Sequence, residues 1–466
     1  MPTLLQPEPA RTFRRLQRDL RSTLGIDAPI FYSLTGKTWS LAANSLSLIL
    51  IARYLSRAEQ GYYYTFFNIL GIRALFELGL SFVLIQVTSH EFAHLRWIPA
   101  GVLEGAITSK ARLASLLRQV MKWYTVVAIL TLIAILPGGA LFFGAYGRTE
   151  ARVEWAMPWI FLCVMSTAGI WLTPILAILE GCNLITQLAR LRLFESIGAS
   201  LSLWLGLLTG HGLFGAALAA SAMFFIDSIW LCTKRHFIRD LLSTEPVSRI
   251  AWRTEVWPFQ WRIALSWSSG YLIFQLFNPL AFALFGSIVA GRVGMSMTII
   301  QSILALAMTW LTTKMAPFGR LAALHLYAEL DKLFFRSVAQ AFTVLASSCG
   351  LFLALIYWMK QNSLALAGRV LDPGLLVLIC LATICNFVWS AEALYLRSHK
   401  REPYARLSLA SGVACAFSAY YLGKSYGPQG MMSGFLAVSF VFNLGLGTYI
   451  FWICRTNWHL AYSHAK

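Results

Sequence analysis

The amino-acid sequence predicts an all-α integral membrane protein of about twelve transmembrane helices. Only 12% of its 466 residues are Asp, Glu, Lys or Arg, whereas soluble proteins contain about 25%. Hydrophobic residues make up 58%, and the mean hydropathy is +0.64. Apolar runs of about 20 residues, the length of a membrane-spanning helix, recur throughout the chain. These runs are continuous rather than short and alternating, so the pattern excludes a membrane-spanning barrel of strands.

Each predicted span is an apolar run that ends where charged or turn-forming residues begin. In chain order the spans cover residues 32–54, 61–86, 121–146, 155–179, 191–210, 212–233, 262–286, 290–314, 335–358, 371–395, 404–423 and 430–454. The longest connections between spans are residues 87–120 and 234–261. Because the second of these falls at the middle of the chain, we expect it to link two six-helix lobes.

The spans and loops divide the chain into five predicted parts. These are a basic cytoplasmic segment (1–31), an N-terminal lobe (32–233), a cytoplasmic linker (234–261), a C-terminal lobe (262–455) and a cytoplasmic tail (456–466). The first part carries a cluster of arginines around an apolar face. This pattern indicates either a basic helix on the inner membrane surface or a disordered basic tail.

The basic residues predict the orientation of the chain in the membrane. Lys and Arg number 38 against 20 Asp and Glu, a net charge of +18. With both termini in the cytoplasm, 27 of the basic residues fall in inner segments and 8 in outer ones, as the positive-inside rule requires. No basic nucleic-acid-binding motif is present, so the charge indicates a membrane location. Together with the lack of a signal peptide, this predicts a multi-pass protein of a bacterial cytoplasmic (inner) membrane.

The short motifs of the chain do not predict catalysis. Residues His90 to His94 spell H-E-x-x-H, but a catalytic zinc needs a third protein ligand, and Asp372 is expected at the opposite membrane face. The eight Cys lie in or beside apolar runs without a C-x-x-C pair, as small buried residues do. We therefore predict no enzyme, no metal site and no cofactor.

Charged residues inside the spans are the candidates for function, because a charge in lipid is costly and is usually retained for a role. Arg73 lies near the centre of the second span with Glu77 one turn further on, so the two form a structural pair or face a polar cavity. Lys37 lines a cavity or reaches the inner headgroups. Asp227 lies too deep in the sixth span to reach water easily. Arg292, at the outer end of the eighth span, is a rim anchor or a ligand group.

Two further patterns concern the shape and packing of the spans. The dipeptide Asn278-Pro279 predicts a break in the seventh span, which frees backbone polar groups. Gln275 is expected to add polar contacts there. Gly206 and Gly210 form a small-xxx-small pair, which predicts close packing of the fifth span against another helix.

Several stretches of the sequence resemble a known family. Residues 52–64, which read Ala-Arg-Tyr-Leu-Ser-Arg-Ala-Glu-Gln-Gly-Tyr-Tyr-Tyr, and residues 76–80, Phe-Glu-Leu-Gly-Leu, are similar to the first two spans of polysaccharide flippases. These are the O-antigen-type exporters of the multidrug/oligosaccharidyl-lipid/polysaccharide superfamily. Residues 257–262 and 290–295 also resemble the family. The resemblance extends over most of the chain.

This resemblance implies two six-helix lobes around a central cavity. It implies movement of a polyprenyl-diphosphate-linked oligosaccharide to the outer leaflet by alternating access, for lipopolysaccharide O-antigen or exopolysaccharide synthesis. The diphosphate would be bound by Arg73, Lys37 and Arg292, and Glu77 or Asp227 would couple transport to an ion gradient. The expected partners are the lipid-linked oligosaccharide, membrane lipids, and a glycan polymerase with its chain-length machinery.

Other functions stay open at this stage. A cation-coupled multidrug exporter of the same superfamily is the main alternative. An intramembrane zinc protease, built on the H-E-x-x-H motif, and a structural partner of a glycan polymerase are alternatives of different classes.

Overall fold

The computed structural model describes residues 28–77, 80–147, 153–245, 250–252, 257, 270–399 and 401–463. These residues are overwhelmingly helical, with one antiparallel hairpin of two short strands, β1 (Leu95–Trp97) and β2 (Leu103–Gly105). The prediction of an all-α membrane protein is therefore confirmed. The arginine-rich N-terminal segment, predicted as either a basic helix or a disordered tail, has its arginines outside the described residues.

The helices follow one another with mostly short connections. In chain order they are α1 (Ala28–Tyr54), α2 (Arg57–Leu70), α3 (Arg73–Glu77), α4 (Leu80–Phe92), α5 (Ile107–Tyr146), α6 (Ala156–Gly181), α7 (Ile185–Leu208), α8 (Phe214–Thr233), α9 (Arg235–Ser243), α10 (Phe277–Phe285), α11 (Ser287–Thr312), α12 (Met315–Ala323), α13 (Tyr327–Gln361), α14 (Pro373–Ser398), α15 (Ala405–Val438) and α16 (Gly447–Ser463). A 3₁₀ turn (Ala365–Arg369) precedes α14, and a π-helical stretch (Ser439–Leu446) joins α15 to α16.

Within the described residues, eight helical stretches are long and apolar enough to cross a membrane. The last of them, Ala405–Trp458, covers two predicted spans, and the non-helical residues Tyr426 and Gly427 kink it between them. Helix α5 has 40 residues, so it is about 60 Å long and projects beyond a hydrocarbon layer of about 30 Å. Large apolar side chains on its surface, such as Ile133 and Leu141, are exposed, as lipid-facing groups are expected to be.

Helix packing divides the chain into two compact units. The first comprises Met1–Tyr54, Gly79–Ala134 and Met157–Gln260, and the second comprises Leu55–Leu78, Ile135–Ala156 and Trp261–Lys466. The second unit thus contains α2 and α3 in addition to the helices of the predicted C-terminal lobe. The lobe boundaries drawn from the sequence stay a prediction.

In the first unit, hydrogen bonds between side chains join α1 to α7. The indole Nε1 of Trp39 donates to Oγ of Ser200 at 3.1 Å, and Nε1 of Trp204 donates to Oγ of Ser47 at 2.8 Å. Because lipid offers these groups no partner, pairing them across the interface fixes the register of the two helices.

The two glycines of the predicted pair in the fifth span have different roles. A Cβ atom at Gly206 would lie 2.8 Å from Cα of Gly215, so α7 and α8 approach closely there. Gly210 instead has a φ of +78° and lies in the turn between these helices, with no atom within 4 Å of a Cβ position. Close packing is confirmed for Gly206, and Gly210 serves the turn.

In the second unit, α2 and α11 are in backbone contact. A Cβ atom at Gly61 would lie 1.9 Å from the carbonyl oxygen of Ser287, and one at Gly291 would lie 2.9 Å from the backbone nitrogen of Gly61. Only hydrogen fits at these positions. The stretches 52–64 and 290–295, two of those that resemble polysaccharide flippases, therefore pack directly against each other.

An aromatic core lies beside this contact. The ring of Tyr62 lies 4.9 Å from that of Phe282 and 5.3 Å from that of Phe143, measured between centroids. The Tyr62 hydroxyl donates to the carbonyl oxygen of Gly147 at 3.1 Å. This cluster holds α2 against the end of α5 and against α10.

Candidate functional site

The predicted second span is divided by a break near its middle. Helix α2 ends at Leu70, Gly71 and Ile72 form a turn, and the short helix α3 begins at Arg73. The sequence did not predict this break, because a single glycine is tolerated inside a helix at a cost of about 1 kcal/mol. The break places Arg73 directly after the interruption.

The predicted break in the seventh span is confirmed. Residues 270–274 are helical, Gln275 and Leu276 form a turn, and α10 begins at Phe277. The physical reason is Pro279, whose ring clashes with the carbonyl group four residues earlier, at Gln275. The helix is therefore interrupted four residues before the proline.

The two breaks lie side by side in the second unit. A Cβ atom at Gly71 would lie 3.0 Å from the side-chain oxygen Oε1 of Gln275. Glycine thus lets the Gln275 amide reach the turn of the other helix. Interrupted helices whose free polar groups meet inside a bundle are the arrangement in which transporters build binding sites.

A buried polar chain continues from these breaks. Nδ2 of Asn278 donates to Oγ1 of Thr65 at 3.1 Å, and that hydroxyl donates to the carbonyl oxygen of Gly61 at 2.7 Å. Within the described residues, Oδ1 of Asn278 is buried without a hydrogen-bond partner. A buried amide oxygen left without a donor is unfavourable, so this group is available to a ligand donor or a water molecule.

The charged residues predicted to act together are distributed as follows. Arg73 is exposed and Glu77 is half-buried, and both lie in α3 of the second unit. Lys37 is exposed on α1 of the first unit. Arg292 lies in α11 beside the beginning of α2, whereas Arg73 follows the end of α2. The 14 residues of α2, about 21 Å of helix, therefore separate the two arginines along the bundle.

An acid pair lies in the first unit. Asp227 on α8 is only 8% exposed, and its carboxyl group lies within hydrogen-bonding reach of the carboxyl group of Glu195 on α7. Within the described residues, no donor reaches Oδ1 of Asp227. Two carboxylates cannot both stay ionised at this separation in an apolar bundle. The arrangement is therefore suited to hold a proton or a small cation between the two groups.

Asp227 was identified from the sequence, but Glu195 was not. A signal for the pair was present. Glu195 lies fourteen residues before Thr209 and Asp227 fourteen residues after Leu213, and residues 209–213 are the turn between α7 and α8. Antiparallel neighbours at equal distances from their turn lie at the same depth, so this spacing alone would have indicated that the two acids meet.

The glutamate of the H-E-x-x-H motif lies in an ion pair. Oε1 of Glu91 accepts a hydrogen bond from Nε of Arg112 at 2.7 Å, so the glutamate of the motif is held in an ion pair. Within the part of the chain that the structure describes, no group of three His, Cys, Asp or Glu side chains is placed to bind a metal ion.

Comparison with known proteins is informative at the level of structure. No protein-family model matches the chain, and no curated protein sequence matches it. A multidrug resistance MATE family transporter of the MOP superfamily, in its inward-facing conformation, is similar with a TM-score of 0.59 and 15% identity, over 96% of this chain and 98% of the other. The outward-facing conformation of such a transporter gives a TM-score of 0.53 and 13% identity over 92% and 96%.

A second kind of transporter is equally similar. The lipid II flippase MurJ, in an inward closed conformation, has a TM-score of 0.61 and 11% identity, over 90% of this chain and 87% of the other. The chain thus has the fold of a helical membrane protein. More particularly, this fold is similar to that of the MATE transporter, which is assigned to the MOP superfamily, and to that of MurJ.

Proposed function

We propose that the protein is a flippase that moves a polyprenyl-diphosphate-linked oligosaccharide across the bacterial cytoplasmic membrane, by alternating access, for the synthesis of a surface polysaccharide. The observation that carries this proposal is the meeting of two interrupted helices at Gly71 and Gln275, with Arg73 immediately after one of them. The fold shared with a lipid II flippase and the family resemblance of residues 52–64 support it. No covalent chemistry is required of the protein.

In this proposal, Arg73 binds the diphosphate. A guanidinium group forms paired, charge-assisted hydrogen bonds with phosphate oxygens, which makes arginine better suited to this ligand than a neutral side chain. Arg73 is exposed although it lies in the middle of a predicted membrane span. An arginine at that depth is stable when it faces a polar path or a ligand rather than lipid. Lys37 would assist electrostatically.

The acid pair supplies the coupling site. Glu195 and Asp227 face each other in the first unit and lack a donor for one buried oxygen. Binding of a proton or a small cation removes the repulsion between them, so the free energy of the first unit depends on the ion. Glu77, half-buried beside Arg73, is the second coupling candidate.

The test is the leaflet distribution of lipid-linked oligosaccharide in cells. Deletion of the gene should trap the glycan lipid on the inner leaflet, wild type should restore export, and Arg73→Ala should not. Arg96→Ala is the matched control, because Arg96 is also exposed but pairs with Glu104 on the β-hairpin at 2.9 Å. Normal surface glycan in an Arg73→Ala strain with wild-type protein levels would refute the role of Arg73.

A cation-coupled multidrug exporter is the second candidate function. The observation in its favour is the equally strong structural similarity to a multidrug resistance MATE transporter, together with the acid pair. Under this alternative, deletion changes drug sensitivity and leaves the glycan lipid distribution unchanged. Reconstitution in liposomes with either a glycan lipid or a cationic dye then separates the two functions.

A further inference from the structure

A basic cavity lies in the second unit, beside the beginning of α2. It encloses about 300 Å³ and is lined by Arg57, Arg292 and Lys360, with the 3₁₀ turn and Asp372 completing its wall. This volume is at the lower end of the range for small-molecule sites, roughly 300–1,000 Å³. Three cationic side chains around one cavity of this size are unusual, because like charges repel.

The wall of the cavity is firmly built. Nε2 of Gln60 donates to the carbonyl oxygen of Gly291 at 2.8 Å and to that of Arg369 at 3.0 Å, so one buried amide ties α2 to α11 and to the 3₁₀ turn. The backbone nitrogen of Leu371 donates to Oγ of Ser296 at 3.0 Å. These bonds fix the loop that carries the 3₁₀ turn before any ligand is present.

The charges in the cavity are not balanced. Within the described residues, Arg57 and Arg292 have no ion-pair partner, and Nε of Arg292 is buried without a hydrogen-bond acceptor. Asp372 pairs with Lys360 at 2.8 Å. The nearby Glu59 is occupied at the beginning of α2, where its carboxylate accepts from the backbone nitrogen of Ser56 at 2.8 Å. Two guanidinium groups therefore face the cavity without an ion-pair partner of their own.

The surroundings of the 3₁₀ turn show the same excess of positive charge. Burial and the neighbouring Arg57 lower the pKa of Arg369, while Glu59 opposes this change. Since a nearby positive charge disfavours a second one, a bound anion would relieve the repulsion among these groups.

We propose that this cavity binds a phosphate-class anion through Arg57, Arg292 and Lys360. Arginine side chains present forked N–H donors that match phosphate oxygens, and the buried Nε of Arg292 gains the acceptor it lacks. The anion is either the headgroup of a phospholipid or free phosphate, since both offer the same oxygens. The site is distinct from the proposed substrate site, because α2 separates Arg292 from Arg73, and its occupancy does not depend on the transport function.

Direct binding measurements on the purified full-length protein test the site with two probes. Inorganic phosphate is titrated calorimetrically in detergent, and phosphatidylglycerol is added in a parallel series and counted by native mass spectrometry. Arg292→Gln should weaken binding of the effective probe about tenfold or more, the loss expected for one charge-assisted hydrogen bond to an ion. Asp372→Asn should strengthen binding, because it frees Lys360 and removes the competing carboxylate. Arg96→Gln is the matched control and should bind as wild type does.

Arg292→Gln should weaken anion binding and Asp372→Asn should strengthen it. Misfolding would not explain these opposite changes in affinity. Saturable binding of phosphate, or of phosphatidylglycerol alone, with the Arg292 dependence supports the site and identifies the source of the anion. Failure of both probes to bind wild type, or equal binding by wild type and Arg292→Gln, overturns it. Transport assays are not needed, so the outcome is separate from that of the Arg73 experiment.

Discussion

The hydroxyl oxygen of Tyr404 lies 2.8 Å from a carboxyl oxygen of Glu392 and 2.8 Å from the carbonyl oxygen of Gly447. Both residues are buried, with 2% of Tyr404 and 5% of Glu392 exposed. A phenol has one proton to donate, whereas an ionised carboxylate and a carbonyl can only accept. With a proton on Glu392, the carboxyl group donates to Tyr404 and Tyr404 donates to Gly447, so every group is satisfied. A neutral side chain at position 392 that can donate to Tyr404 is therefore compatible with this geometry.

We predict that Glu392→Gln keeps the stability of the protein, because the amide also donates to Tyr404. Glu392→Ala should destabilise it by about 1–3 kcal/mol, since the Tyr404 oxygen loses a buried partner. Tyr404→Phe should act in the same direction. The measurement is the thermal unfolding midpoint of purified protein in detergent. A Gln variant as unstable as the Ala variant would show that the ionised carboxylate is required.

The contact between α2 and α11 predicts that two glycine substitutions differ strongly in their effect on the stability of the protein. Gly61→Ala should destabilise the protein by about 1–3 kcal/mol or more, because its Cβ would lie 1.9 Å from a backbone oxygen that cannot move alone. Gly350→Ala is the control, since no atom lies within 4 Å of its Cβ position on α13. That change should be neutral or stabilise the helix by up to about 1 kcal/mol. Equal unfolding midpoints for the two variants would contradict the close approach.

Under the proposed function, substitution of either acid of the pair should abolish ion coupling without a loss of folding. Asp227→Asn and Glu195→Gln each replace one acid by a neutral group of the same shape, so the protein should stay folded while ion-driven transport falls at least tenfold. Transport is measured in proteoliposomes with an imposed ion gradient. Glu104→Gln, an exposed acid on the β-hairpin, is the control. Unchanged dependence on the gradient in both acid-pair variants would exclude the pair from coupling.

His399, which follows α14, predicts a dependence of stability on pH. Burial lowers its pKa below the ordinary value of 6.5, and Arg401 adds to the effect, although the Tyr395 carbonyl and Asp331 oppose it. Its Nδ1 lies 3.1 Å from the Tyr395 carbonyl oxygen, and Nε2 is buried without a partner in the described residues. The folded state therefore favours the neutral ring.

Because the folded pKa is lowered, the unfolded chain binds the proton first as the pH falls. The stabilisation is complete above about pH 6.5 and is lost as the pH decreases towards the lowered pKa. The unfolding midpoint of wild type should decrease between pH 7 and pH 5, and the decrease should be smaller in His399→Gln. Identical pH profiles would show that His399 does not contribute.

Most of the fold could be predicted because the backbone of a continuous apolar run in lipid must form its hydrogen bonds within the segment, as a helix does. The break before Pro279 was also predictable, since proline has a fixed steric cost. The break at Gly71 was not predictable, because a lone glycine occurs both in straight helices and in turns. The turn at Gly71 is recognised only from its contact with Gln275, a residue distant in sequence. The joint role of Arg73, Lys37 and Arg292 stays a prediction.

The two proposed sites also differ in how far the sequence predicts them. To predict the Glu195–Asp227 pair, one needs only the position of the turn between α7 and α8. The sequence contains that information. The cavity around Arg292 depends on Gln60 reaching a loop that is distant in sequence, and no local pattern encodes that contact. Sequence reasoning is strongest where interactions are local and weakest where they depend on packing between distant segments.

The glycine contact between α2 and α11 also has a consequence for the order of assembly during synthesis. Gly61 and Gly291 lie on opposite halves of the polypeptide, so α2 enters the membrane long before the helix that covers it has been made. Until then, the buried amide of Gln60 lacks its carbonyl partners on Gly291 and Arg369. A nascent chain that stops before α11 therefore leaves a polar face of α2 uncovered in the bilayer, where quality-control proteases can recognise it.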